Sequence, residues 1–239
     1  MAKYLTEFNT YAEYSAATLS YPNVSLIKST GKVYYKNIYA GSTLGDILMY
    51  DVANQKLVST ISGNWNTTMF PIASYEPIAI NVYPADQASD GKSRWLSLKN
   101  VGSYKWGPNS SVAGEYTSTD ENALNGRANT DKVLEIADYA TNFLAFNAVN
   151  NFVTSGTTAG DWYLPSKGEM TKLISDIGTI KNQINNIRSI STSKADLLNT
   201  WYFSSTEGST TQTWGTSSNV DSFLALSRGS AGIRAMLAL

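Results

Sequence analysis

Apolar and polar positions follow two different periods along this chain, and the switch between them outlines its elements. Asp46-Ile47-Leu48-Met49-Tyr50 reads as a strand, with Lys56-Leu57-Val58-Ser59 as its partner and a loop-like stretch over 61–76. Pro77 to Tyr83 is nearly continuous in apolar residues and predicts a buried strand; Ser93 to Lys99 predicts another. Residues 100–129 contain five Gly or Pro and many Asn and Ser. An irregular stretch of that length carries function or wraps a surface.

The period then becomes helical. Val133, Ile136, Ala137, Ala140, Phe143 and Leu144 share one face and predict a helix to about Asn150, capped by Asn129 or Thr130. A second helix opens at Pro165. Ser166 and Glu169 have the spacing of a capping box, in which each side chain satisfies the other residue's backbone N–H. Met170, Leu173, Ile174 and Ile177 face the core, and Ile180, Ile184 and Ile187 continue the stripe beyond Gly178. Short strands follow at 201–205, 211–215, 222–227 and 233–239. The last is too apolar to dangle and is expected near the middle of a sheet. Strands bracketing helices make an α+β class.

Residues 1–36 stand apart as an arm. Tyr4, Leu5, Phe8, Tyr11 and Tyr14 recur at roughly helical spacing, and Pro22-Asn23 breaks the run. Val24–Ile27 and Val33–Tyr35 flank a Gly31 turn and predict a small hairpin. So short a segment docks onto something else, which makes Tyr4, Phe8, Tyr11 and Tyr14 the expected docking residues. The main domain is then 37–239.

Composition narrows the chemistry. Among 239 residues there is no Cys and no His. Thiolate nucleophiles, disulfides, His-based catalytic pairs and His- or thiolate-ligated metals are therefore excluded. A net charge of -1 lacks the positive surplus that nucleic acid demands. Ser, Thr and Asn number 29, 24 and 21, while charged residues are only 15%. Such a surface of hydroxyls, amides and aromatic rings suits extracellular β-rich and virion proteins and the recognition of sugars. The same residues also simply populate turns and strands. No apolar stretch approaches the length of a membrane span, and the opening residues carry no export-signal pattern.

Asp161-Trp162-Tyr163-Leu164-Pro165-Ser166-Lys167-Gly168-Glu169 resembles the W-x-L-P-[ST]-x-x-E helix entry of the C-type-lectin-like domains of the formylglycine-generating-enzyme and DUF1566 type. Trp201 to Glu207 is similar to the Y-W-S-S-T-E strand of that group, and Gly232 to Leu239 to its closing V-R-A-F-L-A-L strand. The resemblance runs over about 38–239 and implies a C-type-lectin-like fold with two main helices and short antiparallel sheets. Trp162, Pro165, Ser166, Glu169, Trp201, Glu207 and Arg234 are its structural motif positions. The arm is similar to openings of structural proteins from crAss-like tailed phages of Bacteroidales.

Those families imply where function would sit. The cysteine–copper and histidine–iron chemistries of the enzymes in the group are absent here. Glu76-Pro77 runs into Ile78, breaking the calcium-lectin signature. No metal and no cofactor are expected. Asp120 and Glu121 read as an exposed, solvated pair. Glu169 is assigned to the helix cap and Glu207 to backbone N–H groups at a strand end, so the chain is not read as a glycosidase or any other enzyme. Arg234, in an apolar strand, is expected in a structural ion pair with Glu207 or Glu169. Within the group, partners bind the late strands and their loops, here 207–232. Trp214 is open to two roles, stacking on a sugar ring or packing in the core. Asn219, Asp221 and Arg228 are expected at the surface as polar contacts. The resulting reading is a virion structural protein, a head fibre or capsid decoration that binds host or mucosal glycans. It is assembled in the host cytoplasm as a homotrimer, docked on other virion proteins through the arm, without nucleic acid or membrane insertion. The alternatives are a tail receptor-binding protein and a cellular carbohydrate-binding or adhesion module.

Overall fold

The computed structural model describes residues 5–8, 24–27, 32–35, 38–39, 43–60, 70–217 and 220–239; up to residue 39 and at 220–221 the description is of backbone alone. The fold is α+β, with fourteen strands in three sheets and five helices among the described residues.

The first sheet has the order β1 (Leu5–Phe8), β2 (Val24–Ile27), β3 (Lys32–Tyr35), β4 (Ile38–Tyr39). The hairpin expected around Gly31 is β2–β3, with Val24 opposite Tyr35 and Ile27 opposite Lys32. Leu5 to Phe8 is not helical: it runs parallel to β2, in register Leu5 to Val24. Aromatic residues at helical spacing also satisfy a short strand, and here strand pairing prevails over the period. The sheet continues through Tyr39, past the boundary expected at residue 36. Tyr4, Tyr11 and Tyr14 lie outside the described residues. Phe8 closes β1, and its side chain is likewise outside them.

The second sheet has the order β14 (Met236–Ala238), β8 (Arg94–Ser97), β7 (Tyr75–Tyr83), β5 (Ile47–Asp51), β6 (Lys56–Ser59). Ile47, Ile80, Leu96 and Met236 stand opposite one another across four strands. All four are fully buried. They meet α4 (Lys167–Ser175) and α5 (Ile177–Ile190) through Met170, Leu173, Ile180, Ile184 and Ile187. Leu48, Ala79, Trp95 and Leu237 point the other way. They join Val133 of α1 (Gly126–Leu134), Phe143 at the junction of α2 (Tyr139–Asn142) and α3 (Leu144–Asn150), and Phe146 of α3, together with Trp106, Phe203 and Ile233. A sheet covered on both faces needs consecutive rather than alternating apolar residues, which is why β7 reads as a continuous run.

The third sheet has the order β12 (Val220–Ser227), β11 (Gln212–Ser217), β10 (Trp201–Glu207), β13 (Ser230–Ile233), β9 (Gly102–Lys105). Two expectations are corrected here. The single helix to Asn150 is three short helices. The breaks turn Phe143 and Phe146 into edge-on contact with Trp106, and Ala137, Ala140 and Leu144 are left exposed. The closing strand is also not one strand. β13 pairs between β10 and β9; the chain then crosses at Arg234-Ala235 to become β14 at the margin of the other sheet. Met236 is bridged on its open side by Tyr163, whose N–H and C=O both bond its backbone at 2.9 Å. No helix among the described residues is long and apolar enough to cross a membrane.

Candidate functional site

Two buried carboxylates organise the motif positions. The first, Glu169, completes the capping box of α4: Ser166 Oγ accepts from Glu169 N, and Ser166 N donates to Glu169 Oε2 at 2.9 Å. Its other oxygen accepts from Arg94 Nε at 2.8 Å and from the Tyr163 hydroxyl at 2.9 Å. Arg94 continues to Asp90 through both of its terminal nitrogens. Burial works against the Arg94 charge, but Asp90, Tyr163 and Glu169 outweigh it and its pKa is raised. Burial, reinforced by Glu169, holds the Tyr163 hydroxyl well above its usual pKa. Gly168 is required by close approach: a Cβ there would lie 2.5 Å from the Asn122 carbonyl oxygen. Pro165 and Trp162 are buried beside this centre; the Pro165 carbonyl accepts from Ser205 N, and the Trp162 indole donates to Thr157 Oγ1. Trp201 is half-buried at the start of β10, opposite Ser217.

The second carboxylate, Glu207, is fully buried at the end of β10. One oxygen accepts from the backbone N–H groups of Tyr116 and Thr117, each at 2.8 Å, and the other from Gly114 N–H at 3.1 Å. The long irregular stretch after β9 is thus tied to the third sheet by one side chain. Arg228 completes the arrangement, 2.8 Å from Glu207. It was expected at the surface, yet it is 3% exposed. Its guanidinium lies 4.7 Å from the Trp106 ring centre and 5.6 Å from that of Tyr116. Burial of so hydrated a group is tolerated because the carboxylate, two aromatic faces and several oxygens replace water. Arg234 is corrected as well: it pairs with neither Glu169 nor Glu207. It donates to Asn100 Oδ1 at 2.7 Å and to the carbonyls of Leu98 and Asp196. Burial outweighs the nearby Tyr202 and Asp196 and pushes its pKa down to about 10.

Arg228 builds the most clearly formed surface feature of the late-strand face. It donates to the Pro108 carbonyl at 2.7 Å and to the Ser209 carbonyl at 2.8 Å, so one side chain fastens the loop after β9 to the turn between β10 and β11. Between those segments lies an open groove of about 550 Å³, lined by Lys105, Pro108, Asn109, Thr211, Gln212 and Ser227 among others. The loop sits tight beneath it because residue 107 is glycine; a Cβ would lie 2.6 Å from the Phe143 ring. The side chains of Lys105, Asn109, Thr211 and Ser227 make no hydrogen bond among the described residues, and all four are exposed. The groove therefore has a fastened frame and four uncommitted polar side chains, while Gln212, half-buried, accepts from Ser209 Oγ at 3.4 Å.

Of the sequence-expected ligand residues, Arg228 frames this groove and Trp214 does not line it. Trp214 is half-buried, with the Lys167 ammonium 3.6 Å from its ring centre. Lys167 also lies 5.4 Å from the Phe223 ring and pairs with Glu121. One face of the indole is thus already occupied by a cation. Glu121 is half of the acidic pair read as solvated, and it is engaged; Asp120 accepts from Asn122 N–H at 3.0 Å. Asn219 lies outside the described residues. Asp221 lies within β12, and its side chain is outside them. Lys105, Asn109, Thr211, Gln212 and Ser227 were not singled out in the sequence, although the two stretches that hold all five, 100–129 and 207–232, were.

No protein-family model matches the chain, and no curated protein does. Among solved structures, a fimbrial protein from Bacteroides ovatus is similar in fold, with a TM-score of 0.55 at 16% sequence identity. The similarity covers 82% of this chain and 49% of that one, so this chain spans about half the length of that protein.

Proposed function

We propose that this chain is a displayed recognition module, attached to a larger extracellular assembly through its N-terminal sheet and binding saccharide in the groove beside Arg228. The observation that carries the reading is that groove: exposed hydroxyl, amide and ammonium groups without internal partners, on walls fastened by a buried guanidinium. Sites that hold their polar groups rigidly lose less entropy on binding. The likeness in fold to a fimbrial protein is in keeping with an adhesive surface module. The helix-entry and closing-strand motifs favour the C-type-lectin-like topology, whose late strands and loops are where this groove lies. No step of chemistry is assigned; the two buried carboxylates are consumed by backbone, Arg and Tyr partners, which is a structural use rather than a catalytic one.

The assembly is proposed to be a phage particle, with the module a homotrimeric head fibre or capsid decoration, on the strength of the similarity of residues 1–36 to phage structural proteins. A tail receptor-binding protein is the variant of this reading with few copies. A bacterial surface fibre is the second reading, favoured by the fimbrial fold neighbour. Quantitative mass spectrometry of purified particles and of sheared surface fibres separates them. Copies in the hundreds per particle establish the head, a few tens or fewer the tail, and recovery in the fibre fraction alone overturns the virion reading. Binding itself is tested on a glycan array with the wild-type chain and with Thr211→Ala/Gln212→Ala. A bound glycan lost in the double variant supports the groove; binding unaffected by it overturns the assignment.

A further inference from the structure

Charge in the groove narrows the ligand further. Each ionised side chain along the comparable groove formed by Glu76, Phe152, Val153 and Lys194 is matched: Lys194 pairs with Glu76, and Lys99 with Asp196. In the groove beside Arg228 the guanidinium is neutralised by Glu207, and no carboxylate among the described residues lines the walls. Lys105 remains. It ends β9 opposite Ser230, is exposed, and makes no ion pair or side-chain hydrogen bond among the described residues. The groove accordingly carries one uncompensated positive charge above neutral hydroxyl and amide groups.

We infer that the groove selects acidic saccharides, those bearing a uronate or sialate carboxylate, and that Lys105 reads the charge. Asn109, Thr211, Gln212 and Ser227 supply neutral hydrogen bonds that any sugar ring accepts, so they set affinity without distinguishing charge. The ammonium adds a term present only for a carboxylate partner. An exposed pair of this kind is worth roughly two- to fivefold in affinity and weakens with salt. This inference rests on the groove being the saccharide site.

Isothermal titration of the full chain with tetragalacturonate and its methyl ester, and with sialyllactose and lactose, tests it. At least one acid is expected to bind about two- to fivefold more tightly than its neutral counterpart, with the difference shrinking at high salt. Lys105→Gln should erase that preference, so that acid and neutral forms bind alike. Equal binding of acid and neutral forms, or a preference that survives Lys105→Gln, overturns the charge assignment while the groove stands. Binding that persists in the Thr211→Ala/Gln212→Ala variant, or no binding of any of the four probes, overturns the inference together with the site on which it rests.

Discussion

Glu207 is the residue on which most local order depends. Replacing it by Ala would leave Arg228 charged and buried and three backbone N–H groups without their acceptor. Losing one partner of a buried pair costs about 3–5 kcal/mol. Urea unfolding of Glu207→Ala should show a loss of that order; a loss below 1 kcal/mol would mean that water replaces the carboxylate readily. At Asp196, burial raises the pKa, but the Lys99 ammonium and the Asn100 N–H outweigh it, and the result is lowered. At Glu76, the Ser155 hydroxyl and Lys194 lower it. A carboxyl with a depressed folded pKa contributes stability that is complete above its unfolded pKa and is lost as pH falls through the folded one. Melting temperature should therefore hold steady down to about pH 4.5 and fall below it. Asp196→Asn should flatten that fall, and an unchanged slope would remove Asp196 as a contributor.

At the level of elements, α4 shows how a cap becomes a junction. Its capping box alone is worth about 1 kcal/mol, the loss expected for Ser166→Ala. Glu169→Ala should cost several-fold more, because Arg94 and Tyr163 lose their partner too. Thermal denaturation of the two variants gives the comparison directly, and equal losses would show that the Arg94 contact contributes nothing. The cap was legible in Ser166 and Glu169, since a local spacing fixes a local contact. β5, β6, β7 and the stripe Ile180, Ile184 and Ile187 were legible for the same reason. The crossing at Arg234-Ala235 was not, because an apolar run is equally apolar in one sheet or in two. The burial of Arg228 was not, because its partners lie 21 residues back at Glu207 and 120 back at Pro108. Charge near the end of a strand reads as exposure until those distant segments are brought together. The groove was legible only as two stretches rich in turns and hydroxyls; which of their side chains are left unpaired is a property of the assembled loops.

For the whole molecule, the strands of the N-terminal sheet hydrogen-bond only to one another among the described residues, with β4 lying against β6, while the other two sheets share a core. Deleting residues 1–39 is expected to leave a folded remainder by near-ultraviolet circular dichroism and, under the attachment proposed above, to abolish incorporation into the assembly. A truncated chain that still loads would place the attachment elsewhere. The crossing at Arg234-Ala235 has a mechanical consequence. A module held at its N-terminal sheet and pulled at its groove is loaded along a path that enters through β5, in one sheet, and leaves through β9 and β11, in the other. The segment 230–238 belongs to both sheets, with Ile233 opposite Gly102 and Met236 opposite Leu96. Tension cannot peel one sheet away while the other stays intact; it must shear the segment from its neighbours on both sides at once. Rupture under force is governed by the unfolding rate rather than by equilibrium stability. Single-molecule pulling between those two points should accordingly record one abrupt extension rather than a staircase, the behaviour of a tether that holds until it fails.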